Sequence, residues 1–565
     1  MTIGNNPTAA GSVAQGAKET RKVVGGYGTT TIVLDAPLAF NHVTGSAVVI
    51  RNAATASVDG DTTGEGTNVT ISDNGRYVTQ FPGVYEAVDV PDPEQAFEPR
   101  YVLGGLTNRN FYEMYKGQET LSGSIGSMVI INGYPLRFPI GKVITTPVHS
   151  TATVAVTNVV TLGAAASKGD IYVNLAFGTA GTLKAGEYLL FGINSDTSTS
   201  DIQNNICANS FSQHTDDGST DGLNFEIRQI VNNASSASTH AARLNAPLSF
   251  DHVSGQKVGQ ISKTNAEAAT ARYMHSIIET TTLDSITWNV SIPDSDDNHL
   301  WQRRYIGGKV GSMSVSAEEG GLLTVGWDGV QFLDMLHNIK NSSAIGPSSG
   351  SDSLMPRYSL MSEISKTKVG KMVGSGDQTP AITFSRPSTE AYYFSQGTIN
   401  AFGTTGTQEM ARIRNFALNV SNGEEPKYYI RKHYEGRRTP FEIFEGNREY
   451  TMSATIATPN SEAPATADSI SLWRELLLTG DYRTSGGGFR GFGVTMQFDR
   501  NTAADDYIKF IIPDDGTAAI GGNEQGAFIR TAPHNIGTDN PIQADADIQF
   551  RSLRIQIKDN EPMYP

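Results

Sequence analysis

DIQFRSLRIQI, residues 547–557, sets Ile548, Phe550, Leu553, Ile555 and Ile557 mostly in alternation with polar residues. Successive side chains of a strand point to opposite faces, so such a segment suits an antiparallel sheet with one buried and one wet face. The spacing recurs in FALNV, where Phe416, Leu418 and Val420 share a face. Further strand patterns lie at SITWNVSI (Ser285 to Ile292), SMSVSA (Ser312 to Ala317), IRNFALNV (Ile413 to Val420), KYYIRKHY (Lys427 to Tyr434) and REYTMSATI (Arg448 to Ile456). The chain from 266 to 565 is therefore expected to be one large strand-rich domain.

Composition agrees. The 58 glycines, the abundant Thr, Ser and Asn, and a charged fraction of only 18% describe short strands joined by tight turns, an all-β chain. At 565 residues there is enough chain for about three or four cores. A single cysteine, Cys207, excludes an internal disulfide framework and a Cys-rich zinc site. The first 22 residues lack the apolar centre of a secretory signal, and no run of 18 apolar residues spans a bilayer, so a soluble chain made in the cytoplasm is expected. The formal net charge of −15 opposes tight wrapping of nucleic acid, because such affinity is built from cations against phosphates.

An internal repeat organises the first half. LDAPLAFNHVTGSAV from Leu34 returns as LNAPLSFDHVSGQKV from Leu244, 210 residues later, with nine of fifteen positions identical. The exchanges keep the turn chemistry and the apolar positions, so both copies are expected to be strand, turn and strand. His42 and His252 each stand alone between a Phe-led turn and a Val, which favours a structural role over a ligand site. The second copy closes a stretch holding DIYVNLAF (Asp170 to Phe177), EYLLFGI (Glu187 to Ile193) and EIRQIV (Glu226 to Val231), expected to form strands. Four regions follow: a flexible arm at 1–22, a first part of the main domain with a hairpin module at 23–147, an inserted accessory β-domain at 148–265, and the main β-domain at 266–565. Asn194 to Gly222, long and polar, is expected to be an exposed loop.

Three segments have helical spacing: NRNFYEMYKG (Asn108 to Gly117), DGVQFLDMLHNIK (Asp328 to Lys340) and DSISLWRELLLTG (Asp468 to Gly480). In the last, Asp468 supplies a first-turn acceptor, Ile470, Trp473 and Leu477 share a face, and Gly480 supplies a left-handed stop.

Searches for chemistry return little. GGGFRG (Gly486 to Gly491) fits a dinucleotide fingerprint but precedes a strand instead of opening a helix. PDSDDNH (Pro293 to His299) crowds three carboxylates, yet His299 and Tyr305 stand where a calcium loop needs Gly and Glu. HExxH and GKS/GKT are absent, and the ten histidines show no metal-ligand spacing. No catalytic residue, cofactor or metal is assigned, and a non-enzymatic role is expected. KYYIRKHYEGRRTPFEIF (Lys427 to Phe444) mixes aromatic and basic residues, but Glu424, Glu425, Glu435, Glu442 and Glu445 balance it, which suits a contact between subunits better than phosphate binding.

HSIIETTTLDSITWNVSI, then LWQRRYIGGKVGSMSVSAEEGGLLTVGWDGV (Leu300 to Val330) and IRNFALNVSNGEEPKYYI, resemble the major tail tube proteins of long-tailed bacteriophages and related archaeal viruses, with a weaker match at 85–147. The resemblance implies a tail-tube-type β-sandwich or barrel with flanking helices, and six copies closing into rings that stack as a hollow tube. It also implies a virion location, passage of double-stranded DNA without specific binding, no membrane, and partners among tape-measure, tail-terminator, baseplate or sheath proteins. Glu318 and Glu319, charged on the Gly-flanked tip SAEEGG, are the candidate lumen-facing or inter-subunit residues. Two rivals stand beside this expectation. One is a tail-tip, baseplate or adhesive carbohydrate-binding β-protein using Trp288, Trp301, Trp327 or Trp473 as stacking platforms. The other is a hydrolase with paired carboxylates, for which no pair is singled out.

Overall fold

The computed structural model describes strand pairs at 2–3, 19–20, 23–25, 33–34 and 48–49, then residues 83–101 (without 86, 92 and 93), 113–147 (without 131), 156–193 (without 177–180, 184 and 185), 225–293 (without 231–233, 237–239 and 267–270), 300–340, 391–429 (without 402–408), 439–457, 492–512 (without 501–505) and 527–564 (without 532, 533 and 536–542). Over these residues the chain is all-β, with several antiparallel sheets and two short helices.

Alternation builds the main sheet. In Ser312–Ala317, Met313, Val315 and Ala317 are buried while Ser314 and Ser316 face solvent. Sixteen strands join in this sheet, its longest path running Gly141–Pro147, Tyr273–Glu279, Arg554–Asp559, Tyr507–Ile512, Phe492–Asp499, Tyr393–Ala401, Glu409–Ser421, Ser312–Ala317, Thr324–Gln331, Ser122–Val129, Val84–Tyr85. Glu409–Ser421 is the corner. Its first half pairs with Tyr393–Ala401 and its second half with Ser312–Ala317, while its other edge pairs along its length with Glu449–Ala457. Register shifts between Ile413 and Asn415 and between Ile399 and Asn400 accompany the bend, as bulges do. The two limbs thus face each other across one core, in which Val315, Leu418, Met452 and Ile548 join Ile277, Val494, Phe510 and Ile555.

DIQFRSLRIQI is two strands. Gln543–Phe550 runs beside Glu449–Ala457, and Arg554–Asp559 runs between Tyr273–Glu279 and Tyr507–Ile512, so Arg551 to Leu553 carry the chain from one limb to the other. Phe550 and Leu553 stay buried although three residues apart, because the alternation restarts there.

Two of the expected helices are strands. Within 108–117 the described residues belong to Glu113–Thr120, and 328–340 is the end of Thr324–Gln331 followed by Asp334–Lys340. Val330, Phe332 and Met335 are all buried at a turn where the chain leaves the main sheet for a three-stranded sheet with Ile286–Pro293 and Leu300–Gly308. The parity change at that turn spaces apolar residues as a helix would. The third expected helix, at 468–480, lies outside the described residues, as do Cys207, Trp473, the 194–222 loop and GGGFRG. The helix Tyr134–Ile140 carries no such periodicity. Its Pro135 sits in the first turn, where the missing amide costs nothing, and Phe138 meets Trp327 edge-on at 5.8 Å.

The inserted region holds a six-stranded sheet ordered Glu226–Gln229, Tyr188–Ile193, Lys257–Ile261, Val156–Leu162, Tyr172–Ala176, His240–Arg243. Tyr188–Ile193 is buried on both faces. Leu189 and Phe191 pack inside the unit with Leu175 and Leu244, whereas Tyr188 and Leu190 pack with Ile144, Tyr273 and Met563 of the main body. The segment read as an arm, 1–22, contributes Thr2–Ile3 and Glu19–Thr20 to a three-stranded sheet with Val48–Val49. No helix of the described residues is long and apolar enough to cross a membrane.

Candidate functional site

Glu318 and Glu319 sit where the sequence places them, on the turn joining Ser312–Ala317 to Thr324–Gln331. Gly320 takes φ +67°, a conformation that Gly adopts without the strain a side chain would add, and the Gly321 amide donates to the Glu318 carbonyl at 2.8 Å. The two carboxylates then part. Glu319 accepts from the Arg414 guanidinium at 2.8 Å, while Glu318 lines an open groove of about 780 Å³.

Cross-strand register makes this groove. Thr324, Ser316, Ala417, Ser453 and Asp547 are successive partners across five strands, and Asn415, Thr455 and Asp545 form a second row. Small side chains leave the floor low. Thr455 Oγ1 donates to Asp545 Oδ1 at 2.9 Å, and Asn415 Oδ1 accepts the Thr455 amide at 3.1 Å, so the floor is ordered by its own polar groups. Asp545, Asp547 and Glu318 make it acidic, with Asp547 3.5 Å from Arg530. The lining has serines but no His, Cys or Lys to activate one, which leaves a wet, polar surface of negative sign.

A second surface lies on two hairpins, of which the sequence singles out only the stretch 427–444. Among the described residues Glu94–Arg100 and Glu113–Thr120 pair only with each other, and residues 96–101 are exposed on both faces. Phe97 is 53% exposed, Tyr101 66% and Tyr115 49%, with Met114 beside them. At the base, the Tyr428 hydroxyl lies 3.0 Å from Thr120 Oγ1 and donates to the Glu119 carbonyl. That tyrosine leads into a short hairpin, Glu425–Lys427 with Glu442–Phe444, which exposes Tyr429, Phe441 and Phe444. Tyr429 and Phe441 meet edge-on at 5.6 Å, and the Tyr429 hydroxyl donates to Glu442, a hydrogen bond that raises the phenol above its ordinary pKa. Part of the aromatic-basic stretch is therefore an exposed aromatic ledge, while 430–438 lie outside the described residues. Six aromatics at one end would have been legible only as alternation too polar on both faces to be buried.

Two of the four tryptophans have described side chains, and both are engaged in packing. Trp327 is buried, and Trp288 packs on Phe332 at 5.0 Å. His252 lies in the core of the inserted unit, its Nε2 2.8 Å from Glu226 and its Nδ1 3.0 Å from Gln256. Glu226 also pairs with Arg228 at 2.6 Å and accepts the amides of Ser249 and Phe250. Burial alone would raise this carboxyl, but Arg228, His252 and the Ser249 amide together hold it below the ordinary value. No group of three His, Cys, Asp or Glu among the described residues is placed to hold a metal ion, and most of PDSDDNH lies outside them. No protein-family model matches the chain, and no curated protein matches it.

Proposed function

We propose that the chain is a structural virion protein that assembles into stacked rings, six copies each, forming the hollow tail tube through which the viral genome passes. The observation that carries this reading is the pair of joined hairpins with seven exposed large apolar residues, Phe97, Tyr101, Met114, Tyr115, Tyr429, Phe441 and Phe444. A two-stranded hairpin whose outer half is wet on both faces is marginal by itself, and aromatic surface of this density is the kind that a neighbouring subunit covers. The copy number comes from the family resemblance.

The acidic groove fits the same role. A conduit has to pass DNA without holding it, and Glu318, Asp545 and Asp547 repel a polyanion wherever they face the bore. Assembly also covers strand edges that an isolated β-protein must protect. Tape-measure, terminator, baseplate or sheath proteins are the partners that this role entails. Trp327, buried, and Trp288, half-buried against Phe332, do not favour the carbohydrate-binding rival.

Negative-stain microscopy with light scattering on purified protein tests the proposal. Rings or tubes with a central hole are expected; monodisperse monomers at all concentrations, with glycan binding or turnover, overturn it.

A further inference from the structure

Beyond the fifteen-residue repeat, the backbone pairs two distant parts of the chain in the same way. In the inserted unit, Leu190 pairs with Ile227 on one side and Gly259 on the other, and Phe191 pairs with Glu226. Near the start of the chain, Thr2 pairs with Thr20 on one side and Val49 on the other, and Ile3 pairs with Glu19. A third contact agrees: Ile230 bridges to Leu244, and Val23 pairs with Leu34.

These partners align in sequence as well. ETRKVV at 19–24 matches EIRQIV at 226–231, 207 residues apart, and the two repeat loops are 210 apart, so the connection between them is three residues shorter in the first copy. Gly4 falls opposite Gly192, which takes φ +94° after Phe191. A shared turn motif could arise twice by itself. Three strand pairings in one common register require a common sheet, because a one-residue slip moves every side chain to the other face.

We infer that residues 2–49 are a second copy of the module of residues 190–259, so that this chain carries one β-module twice. The ionic cluster that fixes the repeat loop in the second copy has a counterpart at every charged position. Glu226, Arg228 and His252 correspond to Glu19, Arg21 and His42. Arg21 and His42 lie outside the described residues, and their assignment rests on the alignment. In the second copy the cluster is a clip: Glu226 accepts two loop amides and His252, and Arg228 donates to the Pro247 carbonyl at 2.9 Å and to Ser249 Oγ at 2.8 Å. Pro37 retains the Pro247 position, but Ala39 replaces Ser249 and Ser46 replaces Gln256, so two side-chain partners of the second clip are not kept in the sequence of the first, which is expected to be the weaker.

Hydrogen-exchange mass spectrometry on the full-length protein tests this. In the unaltered chain, peptides covering 34–49 and 244–259 are both expected to be protected, the first less than the second. Glu19→Ala should speed exchange in 34–49 about ten-fold and leave 244–259 unchanged, and Glu226→Gln should do the reverse. The milder Glu226→Gln keeps the second arm readable where an alanine there would destabilise the whole unit and blur the local response. Exchange of 34–49 at the rate of a free peptide, or no response of 34–49 to Glu19→Ala, overturns the inference.

Discussion

Two buried carboxylates close two parts of this molecule, and they do so differently. Glu226 ties a loop to its own module: its partners Arg228, Ser249, Phe250 and His252 all lie within 26 residues. Asp559 ties distant elements together. It lies 3.2 Å from His275, 284 residues away, and accepts the Tyr564 hydroxyl and the Glu561 amide. Tyr564 stacks on His275 at 4.0 Å, its hydroxyl accepts the Gly133 amide, and its carbonyl accepts from Arg137. The first clip is local and can be copied with its sequence; the second exists only after strands, helix and the 559–564 segment have met. A buried charge held by several hydrogen-bond partners stabilises only while those partners remain, which is why each clip is a point of fracture.

Removing Glu226 leaves Arg228 and His252 buried without their anion. Glu226→Ala is expected to cost about 3–5 kcal/mol in the inserted unit, read by denaturant unfolding with hydrogen exchange resolving which unit opens. Asp559→Ala should cost somewhat less, about 3 kcal/mol, because Tyr564 and His275 keep other partners, and the opening should centre on 273–279 and 554–564. Equal loss of protection in both units from either change would erase the distinction between local and global clip.

Acid should act on both clips with one sign. Burial opposes ionisation of Asp559, yet His275, Arg500 and the Tyr564 hydrogen bond hold it below the ordinary 3.8, and Glu226 is likewise below 4.5. Groups depressed in the folded state stabilise it above their unfolded pKa, so stability should fall as pH drops below about 4.5 and continue to fall through the lower folded values. Urea midpoints between pH 3 and 7 should show this, with a shallower slope in Glu226→Gln.

Glu424 has the opposite sign. Burial, helped by Glu445 and only partly opposed by Lys309, raises its carboxyl to about 8, and neither oxygen has a hydrogen-bond partner. The fold prefers the neutral acid, so stability is full below the unfolded value of 4.5 and is lost as pH rises to about 8. Glu424→Gln should stabilise the protein by about 2 kcal/mol at pH 9 and by little at pH 4, measured by thermal unfolding at both.

The smallest stability effect belongs to the hairpins. Phe97→Ser with Tyr115→Ser should change monomer stability by under about 0.5 kcal/mol, since these side chains contact little in the subunit. Assembly is where the same pair should matter, with loss of rings or tubes in the microscope. Unimpaired assembly would remove this surface from the proposed interface.

Alternation made the strands of the main sheet legible, from Met313 and Val315 to Ile555 and Ile557, because burial on one face of a strand writes itself every second residue. The same rule misled at 328–340, where a turn between two sheets shifts the parity of Val330, Phe332 and Met335 into helix-like spacing. Of the candidate site, Glu318 and Glu319 could be placed on a tip from SAEEGG alone, but their different fates could not, since Arg414 and Asp545 come from strands far along the chain. The exposed aromatics at 97–115 are marked in the sequence only by polar residues on both faces of their strands; the lack of a covering layer is decided by the tertiary structure.

By itself, the sequence determined the all-β class, a share of the strands and the repeated loop, each a matter of residues within a few positions of one another. Tertiary structure alone decided which strands adjoin, which acids share a groove, and that His275, Asp559 and Tyr564 close the main body. Those contacts join residues hundreds of positions apart, and local pattern says how a segment folds but not what it meets.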